Sequence, residues 1–173
     1  MRKKSTTFAT KFISMQRIKL FLTDVDGTLT DGGMYYSAEG DVLKCFYVRD
    51  GMGMKLLQQT GVKIGFVTSE TTRIVEARAK KLGLDFLCQG VRFGGKTEAV
   101  QKICNSLNIT LQDVAYIGDD VNDIELLQAV GFAACPADAA PEVMSLPNIH
   151  IMSHTGGHGA VRELTDLILK SSL

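Results

Sequence analysis

Short apolar runs alternate with longer segments of helical period from Ile18 onward. The runs predict strands at residues 18–23, 63–68, 86–89, 114–117, 132–134 and 149–152. The segments between them predict helices at residues 51–60, 71–82, 96–107, 120–129 and 159–169. Gly61, Gly83 and Gly131 follow three of these helices, a position where glycine often ends a helix. The alternation predicts an α/β fold with a doubly wound, mainly parallel, Rossmann-like sheet.

One stretch, residues 33–47, breaks this alternation. Two β-rich runs flank a Ser-Ala-Glu-Gly-Asp turn, which predicts a β-hairpin projecting from the loop after the first strand. A lone hairpin is marginally stable in water. This one is rich in large apolar and aromatic residues, namely Met34, Tyr35, Tyr36, Phe46 and Tyr47. We therefore expect it to pair with other subunits, the alternative being that it folds down on its own sheet.

Composition favours one domain and excludes two classes of partner. The chain has 173 residues, 45% of them hydrophobic, and its 19 basic and 19 acidic residues cancel. This length suits one core and is short for two. We expect no nucleic-acid or membrane partner, because no net charge attracts polyanions and no apolar run approaches the ~20 residues of a membrane span. An anionic substrate must then be held by local groups.

The amino terminus and the cysteines carry two further expectations. Residues 1–19 contain no acidic side chain and resemble an import peptide, yet no apolar h-region or small-residue cleavage site follows. We therefore predict a disordered extension at residues 1–16 and a single domain at residues 17–173. The cysteines are widely separated among apolar neighbours, which predicts small core residues in a reducing cytoplasm: Cys45, Cys88, Cys104 and Cys135.

The most informative polar residues are Asp24 and Asp26, which directly follow the first apolar run. Once a strand breaks into a loop, both side chains can turn toward one point beyond its carboxyl end, where α/β sheets bind ligands. Two close carboxylates repel each other unless a cation or a shared proton relieves them. The pair therefore predicts a divalent metal or an acid/base pair.

Three further polar groups follow other predicted strands or loops. Thr68-Ser69 follows the second strand, Lys96 opens a helix after two glycines, and Gly118-Asp119-Asp120-x-x-Asp123 follows the strand at 114–117. Taken singly, each group is typical of an ordinary turn, cap or solvated surface. Together they would meet at one edge of a doubly wound sheet. Carboxylates, a hydroxyl and an ammonium are the groups that phosphoryl transfer requires.

In these four motifs the sequence resembles the haloacid dehalogenase superfamily of phosphotransferases. The resemblance implies that Asp24 is the nucleophile that takes the phosphoryl group and that Asp26 is the general acid/base. It also implies Mg²⁺ held by Asp24, the main-chain carbonyl of Asp26, and Asp119. An Asp at the second position of the first motif is typical of the phosphatases, so the resemblance implies hydrolysis of a phosphate monoester.

The same resemblance assigns roles to the remaining motif residues. Thr68, Ser69 and Lys96 would bind the phosphoryl oxygens, and Lys96 would also offset the charge of the nucleophile. Asp120 and Asp123 would orient Lys96 or the metal-bound waters. Only the hairpin is inserted after the first strand, so no cap domain is expected.

Residues 17–170 further resemble the capless subfamily that dephosphorylates 3-deoxy-2-ulosonate phosphates. The shared segments include Asp31-Gly32, the hairpin, Phe46-Tyr-Val-Arg-Asp50-Gly51 and the tail Gly156-Gly-His-Gly-Ala-Val-Arg162-Glu163. Asp31 and Gly32 are candidate substrate contacts. The resemblance implies a homotetramer whose subunits cap each other's sites, which would account for an apolar hairpin.

Two substrates compete within this subfamily. The octulosonate 8-phosphate (KDO 8-phosphate) phosphatases usually follow the second-motif Thr with Gly-Arg, whereas this chain continues with Ser69 and Glu70. An acidic residue there is similar to the nonulosonate 9-phosphate (KDN 9-phosphate) phosphatases. Arg78 and Lys81 match residues that reach a neighbour's site in that group, with Arg78 a candidate for the sugar carboxylate. The sequence thus favours the nine-carbon substrate, with the eight-carbon one as the close alternative.

Two other functions remain open from the sequence. A catalytically idle oligomerisation domain is one, as the phosphatase-like domains attached to acylneuraminate cytidylyltransferases can be. Loss of a motif carboxylate would favour it, but Asp24, Asp26, Lys96 and Asp119 are all present. The other is a phosphomutase, which would normally need a cap to exclude water, and the short chain argues against that.

Overall fold

The fold is that of a computed structural model, which describes residue 15 and residues 17–171. Its strands are β1 (Leu20–Thr23), β2 (Tyr35–Ser37), β3 (Gly40–Leu43), β4 (Lys63–Val67), β5 (Phe86–Cys88), β6 (Val114–Ile117), β7 (Phe132–Cys135) and β8 (His150–Ile151). Its α-helices are α1 (Val48–Gln59), α2 (Arg73–Leu82), α3 (Lys96–Leu107), α4 (Ile124–Ala129), α5 (Pro141–Met144) and α6 (Ala160–Ser171). Short 3₁₀ turns cover Leu111–Asp113 and Val121–Asp123.

Six of the strands form one parallel sheet in the order β5-β4-β1-β6-β7-β8. β1 lies at the centre, with Leu20 aligned to Lys63 of β4 on one side and to Val114 of β6 on the other. The chain first builds outward from β1 to β5 and then returns to build β6, β7 and β8 on the other side. The carboxyl ends of β4, β1 and β6 therefore flank the point where the winding direction reverses, which is the usual ligand site of such sheets.

Helices cover both faces of this sheet, as a fully buried parallel sheet requires. Residues of α1, α2 and α6 share one core cluster with Phe21 of β1 and Phe66 of β4. Residues of α3, α4 and α5 share the other cluster with Leu20, Leu22 and Val67. Successive side chains of β1 thus point to opposite layers, as the alternation along a strand dictates. The predicted doubly wound α/β sheet is confirmed.

The predicted elements are present, with differences at their ends. α1 begins at Val48 rather than at residue 51, and the predicted helix at 120–129 begins as the 3₁₀ turn Val121–Asp123. α5 was not predicted, since four residues are too short for a helical period to appear. Gly61 and Gly83 have φ angles of 93° and 66°, as expected just past a helix.

Gly131 lies just past α4, as predicted, but it does not share the left-handed conformation of Gly61 and Gly83. It is not among the residues with a positive φ angle, and Val130, which is extended, ends α4. A side chain at Gly131 would instead collide with the backbone of Gln112. Close backbone approach, and not helix termination, is therefore the reason for glycine here.

The projecting hairpin is confirmed as an element. β2 and β3 pair antiparallel in a two-stranded sheet of their own, with Ser37 opposite Gly40. In the described part of the chain these strands do not join the main sheet, so the alternative that the hairpin folds onto its own sheet is not observed. Several of its large apolar side chains are exposed: Met34, Tyr35, Tyr36, Val42 and Leu43. Its pairing with other subunits stays a prediction.

The predicted extension at residues 1–16 lies outside the described residues except for Met15, which is buried in the first core cluster. Among the described helices, none is both long and apolar enough to cross a membrane. All four cysteines are unpaired, and Cys104 and Cys135 are buried as predicted. Cys45 is exposed, so its assignment to the core is wrong, because the hairpin turns this side chain outward.

Candidate active site

Three neighbouring strands deliver polar side chains to one cavity at the carboxyl edge of the sheet. Asp24 follows β1, Thr68 follows β4 and Asp119 follows β6 by one residue. Strand pairing continues up to these positions, since the N–H of Asp24 donates to Ile117 O at 3.0 Å and that of Thr68 to Cys88 O at 2.9 Å. The cavity has a volume of about 190 Å³ and is lined by Asp24, Asp26, Thr68, Ser69, Glu70, Asp119, Asp120 and Asn122.

Lys96 connects the first and last motifs below this cavity. Its Nζ lies 3.1 Å from Asp24 Oδ2 and 2.6 Å from Asp123 Oδ1, and all three side chains are buried. A cation at the first position of α3 is disfavoured by the helix dipole, and the two carboxylates offset this. Burial lowers the pKa of Lys96, but Asp24 and Asp123 outweigh it and raise that pKa above its ordinary value. The ammonium therefore stays charged beside the nucleophile candidate.

Asp123 accepts hydrogen bonds from four groups in the described part of the chain, one of them Lys96. Its Oδ1 also accepts a hydrogen bond from Tyr116 Oη at 2.5 Å, and its Oδ2 accepts from the backbone N–H of Asp119 at 3.0 Å and of Asp120 at 3.3 Å. Gly118 has to be glycine, because a side chain there would collide with the Asp123 carboxylate. Asp123 thus fixes the position of Lys96 and the loop that carries Asp119.

Asp119 lies on the opposite wall, against the loop of the first motif. Its Oδ1 accepts a hydrogen bond from Thr28 Oγ1 at 2.8 Å. Gly27 has a φ angle of 85°, and a side chain there would overlap the Asp119 carboxylate. The Asp-Gly-Thr order of the first motif therefore serves the fourth motif: glycine makes room for Asp119 and threonine orients it.

Negative charge exceeds positive charge in this site. Burial and the Asp123 charge raise the pKa of Asp24 well above its ordinary value, Lys96 opposes them, and Asp119 raises it further. Burial is also the main cause that raises the pKa of Asp119 to about 7. Oxygens of Asp24, Asp119 and Asp123 lie within 4.8 Å of one another. Because Asp123 is committed to Lys96 and to backbone N–H groups, Asp24 and Asp119 are the carboxylates free to hold a divalent cation there.

Asp26 also lines the cavity, but it has a partner that the sequence did not predict. Lys44 Nζ, at the end of the hairpin, contacts Asp26 Oδ1 at 2.6 Å and Asp41 Oδ2 at 3.3 Å. The Lys44 side chain is only 1% exposed. The hairpin therefore reaches the site through a buried ion pair.

The other predicted residues are divided between the cavity and the surface. Ser69 and Glu70 are exposed at its mouth, and Ser69 Oγ accepts a hydrogen bond from Asn122 Nδ2 at 3.2 Å. Asp120 accepts from the N–H of Val121 at 2.7 Å, so this side chain caps the 3₁₀ turn rather than contacting Lys96. Asp31 and Gly32 lie in the exposed loop between β1 and the hairpin and do not line the cavity.

Arg78 and Lys81 both lie on α2, and neither lines the cavity of their own chain. The Arg78 guanidinium lies 5.4 Å from the ring centroid of Phe46, and Lys81 is exposed. Burial lowers the pKa of this guanidinium, and the nearby charge of Asp50 partly opposes that shift. Their predicted action in a neighbouring subunit's site stays a prediction.

The carboxyl-terminal tail has a structural role within the same chain. Gly157 N–H donates to Thr28 O at 3.1 Å, and a side chain at Gly156 would collide with Gly27 O. His158 Nδ1 lies 2.9 Å from Gly156 O, so this side chain contacts the backbone of the turn in which it lies. The two glycines therefore let the tail pack directly on the loop that carries Asp26.

Three contributors were missed from the sequence. Lys44 and Tyr116 lie in β-rich runs. In such a run a lysine is usually interpreted as an exposed residue and a tyrosine as part of the apolar core. Thr28 follows the first motif's glycine, and nothing near it in the sequence indicates its contact with Asp119. The burial of Lys44 is not visible in the sequence. Once the structure shows it, carboxylate partners are expected, because an ammonium is buried only with such partners.

Comparison with known proteins agrees with this geometry. Residues 93–164 match the family model of the haloacid dehalogenase-like hydrolases. The chain is 36% identical over 160 residues to the 3-deoxy-D-manno-octulosonate 8-phosphate phosphatase of Haemophilus influenzae, covering 91% of this chain and 86% of that protein. It is 39% identical over 153 residues to the Yersinia pestis protein of the same name, covering 88% and 80%.

A solved structure extends the similarity to three dimensions. The 3-deoxy-D-manno-octulosonate 8-phosphate phosphatase of Moraxella catarrhalis, in complex with a magnesium ion, a phosphate ion and a KDO molecule, has a TM-score of 0.89 at 36% identity and covers 95% of this chain and 93% of that chain. Identity at this level over nearly the whole chain, together with the four motifs assembled at the sheet edge, shows that this chain belongs to the haloacid dehalogenase-like hydrolases and is a phosphatase of that family.

Proposed function

We propose that this enzyme hydrolyses the terminal phosphate of a 3-deoxy-2-ulosonate phosphate through an aspartyl-phosphate intermediate. The observation that carries the proposal is the buried contact between Asp24 Oδ2 and Lys96 Nζ at 3.1 Å, at the base of a small acidic cavity. A carboxylate can attack an anionic phosphate only where positive charge screens their repulsion. Lys96 supplies one such positive charge. The excess of carboxylates over ammonium groups in the site favours binding of a second cation.

The proposed reaction has two steps. An Asp24 oxygen attacks phosphorus while the bond from phosphorus to the sugar oxygen breaks, and Asp26 gives its proton to that departing oxygen. Water then attacks the phosphorus of the aspartyl phosphate, giving its proton to the Asp26 carboxylate, and the bond to Asp24 breaks to release inorganic phosphate. Lys96 and Thr68 hold the phosphoryl oxygens through both steps.

Mg²⁺ fits the donor set of this site. Asp24 and Asp119 would hold it together with the main-chain carbonyl of Asp26, and oxygen ligands are the ones that this ion prefers. Two carboxylates with raised pKa values and one ammonium make a cation favourable there. When bound, Mg²⁺ supplies positive charge that reduces the repulsion between the nucleophile and the phosphate.

Two candidate substrates, which differ in length by one carbon atom, are supported by different observations. The curated relatives at 36% and 39% identity are octulosonate 8-phosphate phosphatases, which supports the eight-carbon substrate as the first candidate. Glu70 supports the nine-carbon substrate as the second candidate. It is exposed at the cavity mouth. By the resemblance, the octulosonate enzymes usually have an arginine at this position. A carboxylate there can accept hydrogen bonds from sugar hydroxyls.

We further propose that the site is completed in a homotetramer in the cytoplasm. Arg78 and Lys81 lie outside their own cavity, and the exposed apolar hairpin lies next to it. Both facts support sites shared between subunits. The four free cysteines support a reducing compartment. The idle oligomerisation domain is disfavoured, because such a domain has no need of a buried Asp24–Lys96–Asp123 network.

Purified protein incubated with Mg²⁺ and each ulosonate phosphate tests the proposal. We expect phosphate release that disappears on addition of EDTA, and a kcat/KM at least tenfold higher for one carbon count, which corresponds to only about 1.4 kcal/mol. Asp24→Asn should lose at least about 10⁴-fold, because the amide is a poor nucleophile. Glu98→Gln, on the exposed surface of α3, is the matched control. No release from either sugar phosphate by the unsubstituted protein would contradict the proposal.

A further inference from the structure

The end of the projecting hairpin places one charged side chain in the interior. Lys44 directly follows β3, and its side chain is 1% exposed. Its two neighbours face solvent, since Leu43 is 48% exposed and Cys45 is also exposed. A lysine is rarely buried this completely without a partner, because removing an ammonium from water is costly.

Both partners of Lys44 are carboxylates, and one of them belongs to the active site. Lys44 Nζ donates to Asp26 Oδ1 at 2.6 Å, and it also lies 3.3 Å from Asp41 Oδ2 within the hairpin. Burial lowers the pKa of Lys44, but the contacts with Asp26 and Asp41 outweigh it and raise that pKa above its ordinary value. Lys44 is therefore a charged link between the hairpin and the candidate acid/base.

The two oxygens of Asp26 are in different situations. Oδ1 is fixed by Lys44, whereas Oδ2 is buried and has no hydrogen-bond partner among the described residues. Lys44 therefore contacts one oxygen of Asp26 and leaves the other without a protein partner in the described part of the chain.

We propose that Lys44 is a positioning residue that holds Asp26 through Oδ1, so that Oδ2 is the oxygen that exchanges a proton with the departing sugar oxygen and then with water. This inference rests on the proposed phosphatase function and extends it to the hairpin. Positioning matters here because a general acid has to lie within hydrogen-bond reach of the oxygen that it protonates. In this arrangement the hairpin orients a catalytic group of its own chain, independently of any contact with a neighbour.

A competing explanation is that Lys44 only anchors the hairpin against the domain. The two explanations differ in their dependence on the leaving group. A sugar alkoxide is a poor leaving group that requires a proton, whereas p-nitrophenolate leaves readily without one. Loss of a correctly placed acid therefore slows hydrolysis of the sugar phosphate selectively, while a displaced hairpin affects both substrates.

Lys44→Met tests the proposal, with kcat/KM measured for 3-deoxy-D-manno-octulosonate 8-phosphate, its nine-carbon counterpart and p-nitrophenyl phosphate. This parameter covers all steps up to departure of the leaving group. We expect a loss on the order of 10- to 100-fold for the preferred sugar phosphate, at or below the lower end of the 10²–10⁴ contribution of a general acid, because Asp26 itself is still present. For p-nitrophenyl phosphate we expect a loss below about threefold, since no acid is needed there.

Three further variants separate the explanations. Asp41→Asn removes the charge of the second partner of Lys44 but leaves the contact with Asp26, so it should not discriminate between the substrates. The double variant Lys44→Met/Asp41→Asn leaves fewer uncompensated charges and serves if the single lysine variant does not fold; it should retain the selective loss. Lys102→Met, an exposed lysine that pairs with Glu98 on α3, is the control for loss of a lysine and should not change either rate.

Equal losses on the sugar phosphate and on p-nitrophenyl phosphate would overturn the positioning role while leaving the phosphatase function intact. A selective loss in Asp41→Asn as large as that in Lys44→Met would also overturn it, since anchoring of the hairpin would then be sufficient. If the unsubstituted protein released phosphate from none of the three substrates, the phosphatase function itself would fail, and the positioning role with it.

Discussion

Asp50 is a buried carboxylate that lies outside the catalytic cavity. It is 1% exposed, and its Oδ1 accepts the backbone N–H of Arg162 at 2.7 Å, which joins α1 to the first turn of α6. Its Oδ2 has no hydrogen-bond partner within the described part of the chain. Burial raises the pKa of Asp50 from 3.8 to about 6, against the lowering effects of the Arg162 N–H and of Arg78.

This raised pKa predicts that Asp50 weakens the fold at neutral pH. The native state binds the proton more tightly than the unfolded state, so the free energy of unfolding falls as the pH rises from about 4 to about 6. The shift corresponds to about 3 kcal/mol in full, and to about 2 kcal/mol between pH 4.5 and pH 7.5. Asp50→Asn keeps an oxygen for the Arg162 N–H and has no charge to bury.

We therefore expect Asp50→Asn to be more stable than the unsubstituted protein at pH 7.5, with a much smaller difference at pH 4.5. Urea unfolding at both pH values measures this difference. Asp138→Asn is the control, since Asp138 is exposed and also accepts a backbone N–H, from Gly156. A stability difference that is the same at both pH values would mean that Asp50 is not the group that titrates.

At the scale of single elements, the carboxyl-terminal tail loop supports the loop of the first motif. Gly157 has a φ angle of 67°, and a side chain there would lie 2.5 Å from Asp31 N and 2.6 Å from Thr30 C. Both atoms belong to the backbone and cannot move aside alone. The position therefore requires glycine for two separate reasons, its conformation and its surroundings.

Gly157→Ala should consequently destabilise the protein and reduce its activity. The left-handed conformation alone costs an alanine about 1–2 kcal/mol. Gly61→Ala incurs the same kind of cost at a φ angle of 93°, but nothing lies within 4 Å of its added side chain. We expect Gly157→Ala to lower the free energy of unfolding by at least about 1 kcal/mol more than Gly61→Ala, because of the backbone overlap.

Activity separates these two variants further. Displacement of the loop 27–31 moves Asp26 and the group that orients Asp119, so kcat should fall in Gly157→Ala and stay unchanged in Gly61→Ala. Urea midpoints and initial rates on p-nitrophenyl phosphate provide both measurements. Equal stability and activity in the two variants would indicate that the tail does not support the first motif.

The strand ends of the site could be predicted because each signal was local. An apolar run followed by Asp24, Thr68 or Asp119 is visible within a few residues, and the parallel sheet then brings the ends together. The start of α1 could not be placed, because Val48 and Met52 are exposed and give its first turn no apolar face.

Contacts between residues far apart in the chain could not be predicted from the sequence. Whether Lys44 points inward depends on the register of β2 against β3, which shifts between Tyr35 and Tyr36. A shift of one residue reverses the direction of every side chain in a strand. The contact of Thr28 with Asp119 spans 91 residues and depends on how β1 and β6 are aligned. Neither relation has a counterpart in local residue patterns.

At the scale of the whole molecule, the hairpin presents an apolar surface that one chain does not cover. Tyr35 and Leu43 are opposite each other in the register, and they are 44% and 48% exposed. Facing pairs of this kind stabilise a hairpin and also favour contact with a second surface. The proposed tetramer would bury them and bring Arg78 and Lys81 to a neighbouring site.

We expect the unsubstituted protein to have about four times the 18.8 kDa mass of one chain in light scattering. The variant Tyr35→Lys/Leu43→Glu replaces the apolar pair by opposite charges, which retain a favourable cross-strand contact within the hairpin while making its surface polar. This variant should have a lower mass. Because Arg78 and Lys81 would then be missing from each site, its KM for the ulosonate phosphate should rise at least tenfold, while p-nitrophenyl phosphate hydrolysis continues. A variant that dissociates with unchanged KM for the sugar phosphate would show that each site is complete within one chain, and an unsubstituted protein with the mass of a single chain would exclude the tetramer.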